Sequence, residues 1–272
     1  MLLQVEHVTL YRYDQPVRGV VQSHRVVPTN CEGQRVLSWN VEVSGGLKGD
    51  SFRDGAGDVI QSWSVSGPVS EITVTITGEV ETRDMAGVLR GHREVAPPMV
   101  WLRHSQATEP DAALTSLAMS VEAENELSLA HALSSAISDA IAYVPGQTDA
   151  STSASQALAM GQGVCQDQAH ALIACARLRD LPARYVSGYL WSDGQDGRTE
   201  AAHAWAEIWI DRLGWIGFDP ANRCCPDERY IRLGAGFDAQ DAAPIRGIAR
   251  GEGVEEMEVA LKVRAVQGQS QQ

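Results

Sequence analysis

The sequence predicts an α+β chain in two parts: an antiparallel β-sandwich over about residues 1–95, then a core over 96–272 in which a helix packs on an antiparallel sheet. Three observations lead there. Apolar and polar residues alternate through the first third, as in Arg35–Val43, where Leu37, Trp39, Val41 and Val43 share a face. Helical stripes begin only after Pro97-Pro98. The most marked helix is then followed by strand-like stretches at 183–191 and 202–219, so helices and strands are segregated along the chain.

In the first part, residues 2–13 alternate, and Ile72, Val74, Ile76 and Val80 oppose Thr73, Thr75, Thr77 and Glu79 across a half-solvated strand. Asp54-Gly-Ala-Gly-Asp58 is a turn between strands. Several short strands are expected, with His7, His24 and Cys31 as ordinary sheet or loop residues. In the second part, Thr108 is placed to cap a helix opening with Glu109-Pro110-Asp111. Leu129, Leu133, Ile137 and Ile141 form the stripe of a second helix, with Tyr143 at its end before Pro145. A loop over 146–153 and a short helix to about Met160 lead to the stretch that organises the rest.

That stretch is Gly161-Gln-Gly-Val-Cys165, running into a helix whose apolar stripe is Ala169, Leu172, Ile173 and Ala176. Gly161 and Gly163 permit a tight turn and a close approach of another chain. A thiol in the first turn of a helix feels the positive end of the macrodipole, which stabilises its thiolate. Cys175 lies ten residues deeper in the same helix, where burial works the other way.

A nucleophilic cysteine needs a base, and the base needs a third group to fix its tautomer. His203, on the strand Ala202–Ile210, and Asp219 after Gly217-Phe218 supply these in chain order. His170 is the rival base, but five helical residues turn it about 140° away from Cys165. It is expected to face solvent or to cap. Register decides whether Asp219 can serve. A two-residue turn at Arg212-Leu213 puts Asp219 on the opposite sheet face from His203. A three-residue loop Asp211-Arg-Leu213 with a left-handed Gly214 in a bulge sets Asp219 opposite Trp205, diagonal to His203 on one face.

These residues carry a resemblance. Gly163-Val-Cys165-Gln-Asp-Gln-Ala-His170, Leu181-Pro-Ala-Arg-Tyr-Val-Ser-Gly-Tyr189, His203-Ala-Trp205 and Gly217-Phe-Asp-Pro220 are similar to the transglutaminase-like superfamily, in its bacterial cysteine-protease branch. Gly234–Asp241 and Pro244–Gly251 continue the likeness, and Tyr11–Val17 resembles the β-rich domain that precedes the core there. The pattern departs at Gln168, where an aromatic is usual, at Ala221, where threonine is usual, and at Gly234-Ala-Gly-Phe237. The resemblance implies a papain-like core with Cys165, His203 and Asp219 as its triad, acting by acyl transfer from a peptide or amide. Hydrolysis, transfer to an amine and a non-catalytic scaffold all stay open. It also makes Tyr143 a candidate oxyanion donor beside the Cys165 N–H, with core packing as the other reading.

Composition narrows the classes. A net charge of −13, from 22 basic against 35 acidic residues, disfavours nucleic acid and anionic membrane as partners. Five cysteines without CxxC spacing argue against a disulfide framework or zinc site and for a reducing, cytoplasmic setting. No span-length apolar run and no secretory signal stand out, and the chemistry calls for no metal or organic cofactor. The acidic glycine-rich stretch 192–199 does not match a calcium loop and reads as a solvated hairpin bordering the site. The oligomeric state is not legible.

Overall fold

The alternation of the N-terminal third produces two long strands rather than several short ones: β1 (Leu2–His24) and β4 (Val59–Thr82). The computed structural model describes residues 1–192 and 202–266, so most of the 192–199 stretch and the tail from Gln267 lie outside the described residues. β1 and β4 pair antiparallel along their length, with register shifts between Arg12 and Val17 and between Val17 and Gly19. Such bulges bend a strand without ending it, which is why one strand does the work expected of two. Beyond the bend the neighbours change. β2 (Gln34–Val43) borders one end of β4 and β3 (Gly46–Arg53) the other. Tyr11, Ile72, Val74 and Ile76 from one half of the bent sheet share a buried core with Val20, Trp63 and Val65 from the other.

The core domain begins with a different cap from the one expected. Asp111, not Thr108, caps α1 (Ala112–Ser120), its carboxylate accepting from the Leu114 N–H at 2.8 Å. Thr108 ends a short 3-10 turn, and its hydroxyl accepts from Arg177 Nη1 at 2.8 Å. Asn125 caps α2 (Glu126–Ala140) in the same way. Then come β5 (Ala142–Tyr143), α3 (Ala154–Met160), β6 (Gln162–Gly163) and α4 (Cys165–Leu178). The four-stranded antiparallel sheet follows, in the order β10-β7-β8-β9: β7 (Ala183–Leu190), β8 (Ala202–Ile210), β9 (Gly214–Phe218) and β10 (Tyr230–Gly236). The sequence suggested one apolar stripe on α4, but every residue from Asp167 to Arg177 is buried. The helix is roofed by α1, α2 and α3 while its underside packs on β7 and β8. Its many alanines allow that close packing on all sides.

The chain then returns. β11 (Ile245–Ala249) and β12 (Glu255–Ala265), which the division at residue 95 assigns to the core, pair with β1 instead. They cover an edge of β1 that would otherwise stand unpaired. The two sheets meet where Leu3, Val5 and Val80 pack on Tyr189, Ile231 and Leu233. His7 is buried at this seam, its Nδ1 2.8 Å from the Tyr189 hydroxyl, while His24 is buried against Trp63. Both are structural residues. A second link is ionic: Arg232 of β10 donates to Asp58 Oδ1 and to Glu207 Oε1, both at 2.8 Å.

Candidate active site

Cys165 is the first residue of α4 and is partly exposed, in contrast to the buried turns that follow it. The loop before it is shaped by Gly161, left-handed at φ 66°, and by Gly163, where a side chain would lie 2.7 Å from an Asp167 oxygen. Asp167 folds back on this turn, its Oδ2 accepting from the Val164 N–H at 2.8 Å and the Thr148 hydroxyl at 2.6 Å. Gln168, where an aromatic is usual, is buried and donates from Nε2 to the Ile141 carbonyl at 2.6 Å. That bond ties the end of α2 to the nucleophile helix.

The β8–β9 hairpin has the three-residue loop and the left-handed Gly214 that the register needs, with Arg212 left-handed as well at φ 65° and no register shift along the pair. Ile210 pairs with Gly214 and Ala206 with Phe218, leaving Asp211-Arg-Leu213 as a three-residue loop. Gly214 is left-handed at φ 88°, and the register carried one step further sets Asp219 opposite Trp205. His203 and Asp219 therefore share a face, and His203 Nε2 donates to Asp219 Oδ2 at 2.6 Å. Cys165 bears on the same imidazole from the first turn of α4 and raises it. Cys165, His203 and Asp219, far apart in sequence, are thus brought to one place, with His203 bonded to Asp219.

The electrostatics follow from this arrangement. Burial pulls the His203 imidazole down, but the hydrogen bonds with Asp219 and Cys165, and their charges, outweigh it and hold the ring at about 10. Burial likewise penalises the Asp219 carboxylate, and the His203, Asn222 and Tyr230 donors more than compensate, so it lies below the usual range. Cys175 has no such partners, and burial pushes it up to about 12.

The expected surroundings differ in two places. His170 does not face solvent. It is buried against Tyr185, accepts from the Ala239 N–H at Nε2 (3.0 Å) and is pushed down to about 4 by burial. Its side of α4 is covered because the segment after β10 folds over it. Tyr143 is not on the second helix, which ends at Ala140, but on β5, paired in parallel with Gly163. It therefore flanks the turn that precedes Cys165. Sequence reasoning missed Asn222 and Tyr230, both bonded to Asp219 Oδ2, at 2.6 and 2.7 Å. Asn222 had a local signal, a turn former three residues after the acid. Tyr230 had none, because ten residues of irregular chain separate it from Asp219.

Among the described residues no three His, Cys, Asp or Glu side chains gather as a metal site, and no helix is long and apolar enough to cross a membrane. Residues 115–220 match the family described as the transglutaminase-like superfamily, and residues 3–81 match the bacterial transglutaminase-like N-terminal region. An uncharacterized protein of Mycobacterium leprae is 29% identical over 96% of this chain and 98% of its own length. One of Mycobacterium bovis is 32% identical, covering 90% of this chain and 86% of its own. Among solved structures, a proposed cysteine protease of Cytophaga hutchinsonii aligns with a TM-score of 0.76 at 23% identity, over 98% of this chain and 92% of that one. At that identity the likeness is one of fold.

Proposed function

Because the chain belongs to the transglutaminase-like superfamily, we propose that it is a thiol enzyme that transfers the acyl group of a peptide or amide through Cys165, His203 and Asp219, with water as the acceptor. The observation that carries this is the position of Cys165: a partly exposed thiol at the N-terminus of a buried helix, facing an imidazole that Asp219 holds at 2.6 Å. In this reading the Cys165 thiolate attacks the amide carbonyl. The Cys165 backbone N–H, one of the first-turn donors a helix leaves without an intrahelical partner, receives the oxyanion. Tyr143, beside Gly163, is the candidate second donor. His203 gives its proton to the leaving nitrogen, the C–N bond breaks and a thioester remains. A water then gives a proton to His203 as it attacks the thioester carbon, releasing the acid and the thiol group.

The five cysteines are all unpaired, which supports a reducing, cytoplasmic setting. The first test is labelling. Iodoacetamide near neutral pH should modify Cys165 at least about tenfold faster than Cys175, whose thiol is buried and far from ionising. Equal rates in the folded protein would overturn the reading. The second test is a glutamine-peptide library, with mass spectrometry of the Cys165 acyl adduct and an assay of released ammonia with and without a primary amine. Ammonia release without amine incorporation supports hydrolysis. Dominant amine incorporation reassigns the protein as a transglutaminase, and no adduct on any amide removes both.

A further inference from the structure

Asp219 is fully buried, and its Oδ2 is the focus of three donors: His203 Nε2 at 2.6 Å, Asn222 Nδ2 at 2.6 Å and the Tyr230 hydroxyl at 2.7 Å. The same carboxylate takes the Asn222 N–H on Oδ1 at 3.3 Å. An oxygen has two lone pairs, so three donors compete for it. Whatever Tyr230 and Asn222 draw from Oδ2 is charge that no longer stabilises the imidazolium. The three donors come from different places. His203 is on β8, Asn222 is in the turn after β9, and Tyr230 is on β10, whose Arg232 is pinned by Asp58 and Glu207. Tyr230 is also set edge-on to the Trp205 ring at 5.5 Å and to the His203 ring at 5.9 Å, so its hydroxyl has little freedom to leave. Resting on the proposed triad, we propose that Tyr230 and Asn222 are positioning residues that act through Asp219 to set the pH range over which the Cys165–His203 ion pair exists.

Among the described residues, the other titratable groups facing this arrangement are few. Cys165 faces His203 from α4. Cys224 reaches the Tyr230 hydroxyl at 3.4 Å from the turn between β9 and β10. Asp227 and Arg229 bear on Cys224 but are paired with each other at 2.7 Å. None of these competes for Asp219 Oδ2. Asn222 Nδ2 also lies 3.2 Å from His203 Nε2, so its removal relieves the imidazolium directly as well, in the same direction, and the sign follows from the donors. Removing either donor concentrates the carboxylate on the imidazolium and strengthens its hold on the proton. Tyr185 of β7 also faces Cys165, and on the acid side the imidazolium is protonated with or without these donors, so the acid limb is expected to stay put.

The experiment measures the pH dependence of iodoacetate labelling of Cys165, followed by peptide mass spectrometry so that Cys224 and the other thiols are not counted. Iodoacetate is an anion, so its rate should rise as the thiolate forms and fall as His203 loses its proton. For the wild type a bell is expected. Tyr230→Phe and Asn222→Ala should each move the alkaline limb up by roughly 0.5–1 pH unit, a three- to tenfold gain in proton affinity, with the acid limb unmoved. Asn222→Ala is the safer variant for folding, since Asn222 is only half-buried and its backbone N–H stays on Oδ1. An alkaline limb that stays put or moves down in both folded variants overturns the proposal and makes these residues packing groups. A bell with the predicted shifts, in a protein that cleaves no amide, leaves the positioning role standing while the hydrolase reading falls. A flat wild-type profile removes the ion pair and with it the proposal.

Discussion

His203 and Glu207 stand four residues apart on the same face of β8, yet the two ends of that face are built for opposite purposes. Around Glu207 every charge is enclosed. Arg184 and Arg232 lie between Asp58, Glu94 and Glu207, and the side chains of Arg184, Arg232, Asp58 and Glu207 are at most 6% exposed. The Arg184 guanidinium also lies 3.9 Å from the Trp215 ring centre. Burial penalises the Glu207 carboxylate, but Arg232 and Arg184 overcome this and hold it down at about 2. The Glu207 carboxylate therefore stays charged at ordinary pH. Around His203, among the described residues, one carboxylate and one thiol face the ring, and the thiol end is partly open. Counter-charges supplied in full give a fixed joint between the two sheets, while a short supply at an open edge gives a group poised to exchange a proton.

The largest expected break in this comparison is Asp219→Asn. It should leave the fold intact by circular dichroism and lower turnover by about 10⁴, because the imidazolium loses its counter-charge and the ring its tautomer. A variant within tenfold of wild type would take Asp219 out of the chemistry. Glu207→Gln should do the reverse. It removes the one buried carboxylate that Arg184 and Arg232 share, leaving their N–H donors toward it unpaired, and should cost about 3–5 kcal/mol of stability by urea titration. If the midpoint barely moves, the joint is not held by charge.

The pH dependence of stability sharpens the contrast further. His203 is raised in the folded state, so its contribution is whole below about 6.5 and is lost as pH climbs through about 10. Glu207 is depressed, so its contribution is whole above about 4.5 and is lost as pH falls toward 2. Ahead of that, His7, His24 and His170 are held neutral by burial at about 4, so the unfolded chain takes up protons first and stability starts to fall below about 6.5. Thermal melts across pH should therefore show a two-stage acid limb, and Glu207→Gln should flatten only its lower stage. A single acid step unaffected by the substitution would contradict this. The smallest effect is local: Gly214→Ala, at φ 88°, should cost about 1–2 kcal/mol and reduce turnover more than its stability loss explains, because this turn sets the face on which Asp219 lies. Unchanged kinetics would show that the hairpin holds its register without the glycine.

The sequence by itself determined what is local or periodic. Alternation marked β2, β4, β8 and β12, and the glycine-rich entry marked the start of α4 at Cys165. Two-residue side-chain alternation and one glycine even chose the β8–β9 register, since a single-residue slip would have carried Asp219 to the other face. What the sequence left open is what long-range packing decides. That β1 and β4 run through a bend as single strands depends on bulges whose partners lie some fifty residues away. That β11 and β12 close the first sheet depends on which edge stood unpaired once the rest had folded. His170 read as exposed because no local pattern announces the segment around Ala239 that buries it. Tyr230 and Arg232 sit side by side on β10, one bonded to Asp219 and the other to Glu207, and neither carries a signal in its own neighbourhood. Their partners are chosen by the pairing of β10 with β7 and of β7 with β8, and only the assembled sheet makes that choice.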